Sequence, residues 1–97
     1  MYIYHHVKVV KVIDADFYAL EIDLGFHNIR TEKIKLMGAN IYPEKMDKAF
    51  RFVMREIDGK DVVLMTYKVR RDGYFQGDVM YDGKILYEEL KKNGYTE

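Results

Sequence analysis

Asp14 and Asp16 flank Ala15 at the point where a run rich in valine and isoleucine gives out. Carboxylates are the hard oxygen donors that a cation such as calcium prefers. Asx residues also close strands into turns, so the spacing leaves both roles open. Lys35 alternates with Ile34 and Leu36, which puts its ammonium on the polar face of a strand, as a phosphate contact or simply as a solvated side chain. Asn40 is a natural turn former with a neutral oxygen to offer. Glu44 follows the only proline, Pro43, in a first helical turn where the dipole favours negative charge. Lys68, Arg70 and Arg71 form the densest basic patch; such a patch either contacts phosphate or is a solvated loop. His5 and His6 are adjacent on a strand pattern and point to opposite faces, which argues against a metal cluster with His27.

The composition limits what these residues can be part of. Ninety-seven residues, 48% hydrophobic and 33% charged, describe one globular domain over 1–97. The absence of cysteine excludes a disulfide framework, a thiolate zinc site and a cysteine nucleophile. Sixteen basic residues balance sixteen acidic ones, whereas a non-specific duplex binder shows a basic excess; contact with nucleic acid must then come from a local patch. The N-terminal stretch lacks the pattern of a signal peptide, and no window reaches the about 18 apolar residues of a membrane span. The expectation is a soluble, cytoplasmic protein with no membrane partner.

The elements that must hold these residues follow from periodicity. Residues 2–13 are rich in Val, Ile and Tyr and predict a strand. Tyr18, Leu20, Ile22 and Leu24 recur at period two and predict a second over 17–24, and residues 27–37 a third. Pro43 announces a helix carrying Met46, Ala49, Phe50, Val53, Met54 and Ile57 as its apolar stripe, with Gly59 as the stop. Residues 61–68 and 74–81 predict two further strands joined by a polar loop over 69–73. Asp82-Gly83 then leads into a second helix through Ile85, Leu86 and Leu90, ended by Gly94. Strands interrupted by a helix suggest a mainly β (α+β) fold: a five-stranded OB-type barrel with two capping helices, in the order β-β-β-α-β-β-α.

Four segments share a further pattern: VVKVIDADFYALEIDLGF (9–26), KIKLMGANIYPE (33–44), FQGDVMYDGK (75–84) and LYEELKKNGY (86–95). In this order and spacing they resemble the staphylococcal nuclease (thermonuclease) family, whose fold agrees with the strand and helix order above. The resemblance implies calcium-dependent phosphodiester hydrolysis. In that chemistry carboxylates hold the ion, a glutamate activates water, and two arginines stabilise the charged transition state. It places the metal carboxylate at Asp16, the second metal position at Asn40 and the general base at Glu44. It also implies departures. The first catalytic arginine falls at Lys35, which keeps the charge but loses the bidentate fork. The second falls at Tyr74, three residues before Gly77, with Arg70 and Arg71 just upstream. Ile41 and Tyr42 add one residue before Pro43-Glu44.

Removing one preorganised charge stabiliser costs roughly 10²–10³ in rate, so two such departures imply a degenerate site. Tyr42 and Tyr74 flank the implied cleft, and barrels of this type stack bases on aromatic rings. The leading expectation is a module that binds single-stranded nucleic acid or a nucleotide in the former nuclease cleft with little or no hydrolysis. Lys35 and Glu44 are its catalytic-position residues, Asp16 and Asn40 its metal-position residues, and Tyr42, Tyr74, Lys68, Arg70 and Arg71 its ligand contacts. The alternatives are an active calcium-dependent nuclease with altered residues, and a non-catalytic domain that binds or inhibits a protein partner.

Overall fold

The structure, a computed structural model, describes the backbone of residues 1–71 and 73–97, and the side chains of these except 68–71. Strands β1 (Tyr2–Asp14), β2 (Phe17–Asp23) and β3 (Ile29–Leu36) lead into a 3₁₀ turn at Pro43–Lys45 and helix α1 (Met46–Ile57). Strands β4 (Asp61–Arg71) and β5 (Tyr74–Tyr81), a short β6 (Lys84–Ile85) and helix α2 (Leu86–Lys92) complete the order. The sheet runs β3-β2-β1-β4-β5-β6. It closes into a five-stranded barrel where β3 pairs in parallel with β5 through Ile34↔Phe75, Lys35↔Gln76 and Leu36↔Gly77. This is the expected OB-type barrel with its two helices, plus the extra strand β6.

β1 makes closure geometrically workable. Its N-terminal half pairs with β4 from Tyr2 to Lys8, and its C-terminal half with β2 from Val7 to Asp14. A strand shared in this way must bend, and bulges supply the bend. The register shifts between Tyr4 and Val7, between Val9 and Lys11, and between Val12 and Asp14. The second shift reverses the inside–outside phase. Val7 and Val9 point inward, Val10 is the exposed extra residue, and Val12 is buried where strict alternation would have put Lys11 and Ile13.

The β4–β5 pairing explains the glycine of the Gly-Asp-Val segment. A Cβ on Gly77 would lie 2.3 Å from the Met65 carbonyl oxygen on β4. Only hydrogen fits there, so β5 can approach β4 closely while the Met37 N–H donates to the Gly77 carbonyl at 2.8 Å. Gly77 is required by proximity and not by a left-handed backbone.

The buried side chains form one cluster, in which Tyr18, Leu20, Ile34, Leu64 and Val79 from the barrel meet Ala49, Val53 and Ile57 from α1 and Leu86 and Leu90 from α2. Positions 49, 53 and 57 repeat every four residues and form the inner stripe of α1. Met54, expected on that stripe, is 39% exposed. At 100° per residue it lies about 100° from Val53, on the outer flank, and half-buried Phe52 packs instead against Tyr95 with ring centroids 5.4 Å apart.

Sequence boundaries also change: β1 runs on to Asp14, β2 ends at Asp23 and not at 24, and β3 spans Ile29–Leu36 and not 27–37. β4 runs on through Arg71, so residues 69–71 are strand and not loop. The first helix begins with a 3₁₀ turn before α1. A two-residue strand separates Asp82-Gly83 from α2. No helix among the described residues is long and apolar enough to cross a membrane.

Candidate functional site

The β1–β2 turn sets the first part of the site. Tyr18, fully buried in the barrel, donates its hydroxyl to the Ala15 carbonyl at 2.6 Å. The Ala15 N–H in turn donates to Asp14 Oδ1 at 2.7 Å. Asp14 therefore holds the start of the turn through its neighbour's N–H, and Ala15 is wholly buried. Burial, with the nearby carboxylates of Asp16, Asp78 and Asp14, holds the Tyr18 phenol well above its ordinary pKa, so it remains a hydrogen-bond donor. The Asp16 carbonyl accepts the Leu36 N–H at 2.8 Å, which fastens the turn to the end of β3.

These constraints leave the Asp16 carboxylate facing Lys35. Lys35 Nζ lies 3.2 Å from Asp16 Oδ2, with side-chain exposures of 42% and 14%. In the β2–β3 ladder Lys35 stands opposite Phe17, and its ammonium lies 6.0 Å from the Phe17 ring centroid, at the outer range of a cation–π contact. Tyr74 meets Phe17 edge-on, at 5.5 Å and 81°. Asp16, Lys35, Phe17 and Tyr74 thus form one half-buried cluster spanning the β2, β3 and β5 ends. It combines one ammonium, one carboxylate and two aromatic rings.

The other nominated residues lie apart from this cluster in their contacts. Asn40 is exposed, and its N–H donates to Thr96 Oγ1 at 2.8 Å. Tyr42 donates its N–H to the Tyr95 carbonyl at 3.0 Å, and Lys45 Nζ lies 5.4 Å from its ring while donating to the Gly94 carbonyl at 2.8 Å. The segment 40–45 is therefore laced to residues 94–96, with an Ile41–Thr96 bridge between them. Glu44 is exposed on the 3₁₀ turn. The side chains of Lys68, Arg70 and Arg71 lie outside the described residues.

A calcium cage needs several convergent oxygens. Among the described residues no group of three His, Cys, Asp or Glu side chains converges in that way. A cation at Asp16 Oδ2 would also meet the Lys35 ammonium.

Sequence reasoning missed Phe17, which joins Lys35 to Tyr74, and the hydroxyl of Tyr18, which pins the turn. Tyr18 was legible as an inward residue by period two. Its hydrogen bond was not, because it folds back across the turn. No protein-family model matches the chain, and no curated protein matches it.

Farther along β5, Asp78 Oδ1 accepts the Val79 N–H at 2.7 Å and the Tyr87 N–H at 3.4 Å. Burial raises its carboxyl above the ordinary value of 3.8, and these two N–H donors oppose the rise.

Proposed function

We propose that the Lys35 cluster binds a phosphate-bearing ligand, single-stranded nucleic acid or a nucleotide, without hydrolysing it. The observation that carries this reading is the placement of the half-exposed Lys35 ammonium beside the Phe17 ring, which Tyr74 meets edge-on. An ammonium supplies a point charge for phosphate, and an accessible ring supplies a sequence-tolerant platform for a base, worth about 1–3 kcal/mol. The absence of hydrolysis follows from what the same cluster lacks. Tyr74 stands where the nuclease resemblance places an arginine, and Lys35 offers no fork for bidentate contact to a pentacoordinate phosphorane. The chain carries no net charge, so binding is weak and depends on low salt.

The test is fluorescence anisotropy of a labelled single-stranded oligonucleotide at low salt, with product analysis in calcium and in chelator. Binding that weakens in Tyr74→Ala and leaves the oligonucleotide intact is the expected result. Calcium-dependent cleavage that disappears in Glu44→Gln would instead make the chain a nuclease. No binding at low salt would reject the reading.

A second reading, a protein-interaction domain, is favoured by the β2–β3 hairpin. Gly25, Phe26 and His27 all adopt positive φ, at 84°, 52° and 60°. The turn is tied by Leu24 N–H to the Asn28 carbonyl at 2.8 Å and Asn28 N–H to the Gly25 carbonyl at 2.9 Å. It holds Phe26 fully exposed, with exposed Leu24 and Ile29 beside it. Left-handed backbone at Phe is costly, and an apolar tip held at that cost suits a partner surface. Stoichiometric capture of one protein by the parent and not by Phe26→Ser, together with no oligonucleotide binding, would establish this reading over the first.

A further inference from the structure

The Lys35 ammonium is already engaged. Its partner, Asp16 Oδ2 at 3.2 Å, belongs to a carboxylate only 14% exposed. The turn that carries it is held from both sides, by the Tyr18 hydroxyl on the Ala15 carbonyl and by the Leu36 N–H on the Asp16 carbonyl itself. Asp16 therefore has little freedom to swing away, whereas Lys35 ends a flexible four-carbon stem and is 42% exposed. A phosphate oxygen approaching Lys35 meets two opposing effects, the ammonium that attracts it and a fixed carboxylate that repels it and competes for the same N–H donors. The Lys35–Asp16 pair sums to zero charge, so a ligand gains little from the site until the pair is broken.

We propose that Asp16 is a built-in competitor: it occupies Lys35 in the free protein, and the phosphate-bearing ligand binds by displacing it. Asp16 is thus an affinity-setting residue that acts through Lys35, and this inference rests on the phosphate-binding reading of the cluster. It runs opposite to the role that the nuclease resemblance gives the same residue. A carboxylate that recruits a cation helps phosphate to bind, and its removal weakens binding. A carboxylate that competes for the lysine hinders phosphate, and its removal strengthens binding. The sign of one substitution separates the two.

The test compares the parent, Asp16→Asn, Asp16→Ala and Asp16→Glu with the same labelled single-stranded oligonucleotide in chelator, with circular dichroism to check that each variant folds. Inorganic phosphate serves as the competing probe. Asp16→Asn and Asp16→Ala should both bind about tenfold tighter, the size of effect expected when a part-buried like charge beside the ligand is removed. Asp16→Glu, which restores a carboxylate, should stay near the parent. Phosphate should displace the oligonucleotide at lower concentration from Asp16→Asn than from the parent. The Lys35 side-chain amine resonance in NMR should shift between parent and Asp16→Asn before any ligand is added, which a merely structural turn residue would not cause. Parent-like or weaker binding by both Asp16→Asn and Asp16→Ala, with the parent still binding, would overturn the competitor role and leave the phosphate-binding reading standing. Failure of parent and variants alike to bind would reject both.

Discussion

Two acid–base pairs stand at opposite ends of the same β2–β3 ladder. At one end, Phe17↔Lys35, the lysine reaches Asp16 at 3.2 Å; at the other, Ile22↔Arg30, the guanidinium of Arg30 reaches Glu32 at 3.0 Å. The pairs differ in which face of β3 they occupy. Glu32 shares the inward parity of Ile34 and Leu36 and is only 9% exposed. With Arg30 it lines a cavity of about 100 Å³ in the barrel mouth, beside Ile22, Leu24, Leu64, Thr66 and Phe75. Lys35 has the opposite parity and stands on the outer face beside the Phe17 ring, with Tyr74 edge-on to that ring. An inward pair satisfies a carboxylate that the barrel has buried, because a buried charge without a partner is costly. Both cations are part-exposed, Arg30 at 59% and Lys35 at 42%, so the two ends differ in the face of β3 and in their neighbours and not in access to the charge. The same ion-pair chemistry thus stands beside a cavity at one end and beside a part-exposed aromatic surface at the other, and strand parity decides which.

The close approach of β5 to β4 at Gly77 offers the most severe way to break this contrast. Gly77→Ala should destabilise the protein by about 3 kcal/mol in urea unfolding, because the new Cβ has no space beside the Met65 carbonyl. The lysine cluster should lose oligonucleotide binding with it. Unchanged unfolding would mean that the two strands yield freely and that Gly77 is not required.

Lys35→Gln separates the outer end from the fold. Oligonucleotide affinity should fall about tenfold at low salt, while the unfolding free energy moves by less than about 0.5 kcal/mol, as expected for a part-exposed pair. Glu32→Gln should do the reverse, costing about 1 kcal/mol of stability and leaving binding unchanged. If both substitutions alter both properties, the two ends are not independent.

The smallest expected effect is a pH dependence at Asp78. Its folded-state pKa is raised by burial. Its contribution to stability is therefore fully present below the ordinary carboxylate value and is lost as pH rises through the raised folded value. Asp78→Asn keeps an acceptor for the Val79 and Tyr87 N–H groups and removes the titration. Its advantage over the parent should grow as pH rises above 3.8 and then level off. Parallel stability–pH curves for the two proteins would contradict this.

Much of the element order was legible because the signals are local. Period two placed Tyr18, Leu20 and Ile22 inward. The repeat at 49, 53 and 57 marked the inner face of α1, and Gly25, Gly59 and Gly94 marked turns in left-handed backbone. The bulge at Val10 was not legible, because the phase of a shared strand depends on its two partners. The candidate site was legible in part. Asp16, Lys35 and Tyr74 could be nominated singly from types and resemblance, but nothing in one dimension pairs Lys35 with Asp16 or inserts Phe17 between Lys35 and Tyr74. Tyr42 and Asn40 were nominated beside them, and their contacts run instead to residues 94–96.

Sequence alone determined the order of the five barrel strands and two helices and the inner faces of β2 and α1, since side-chain period and glycine or proline geometry act over a few residues. Tertiary structure decided the parallel β3–β5 closure, the need for glycine at 77 and the capture of Lys35 by Asp16. Each depends on atoms brought within a few ångströms from distant parts of the chain, and those distances exist only once the barrel has closed.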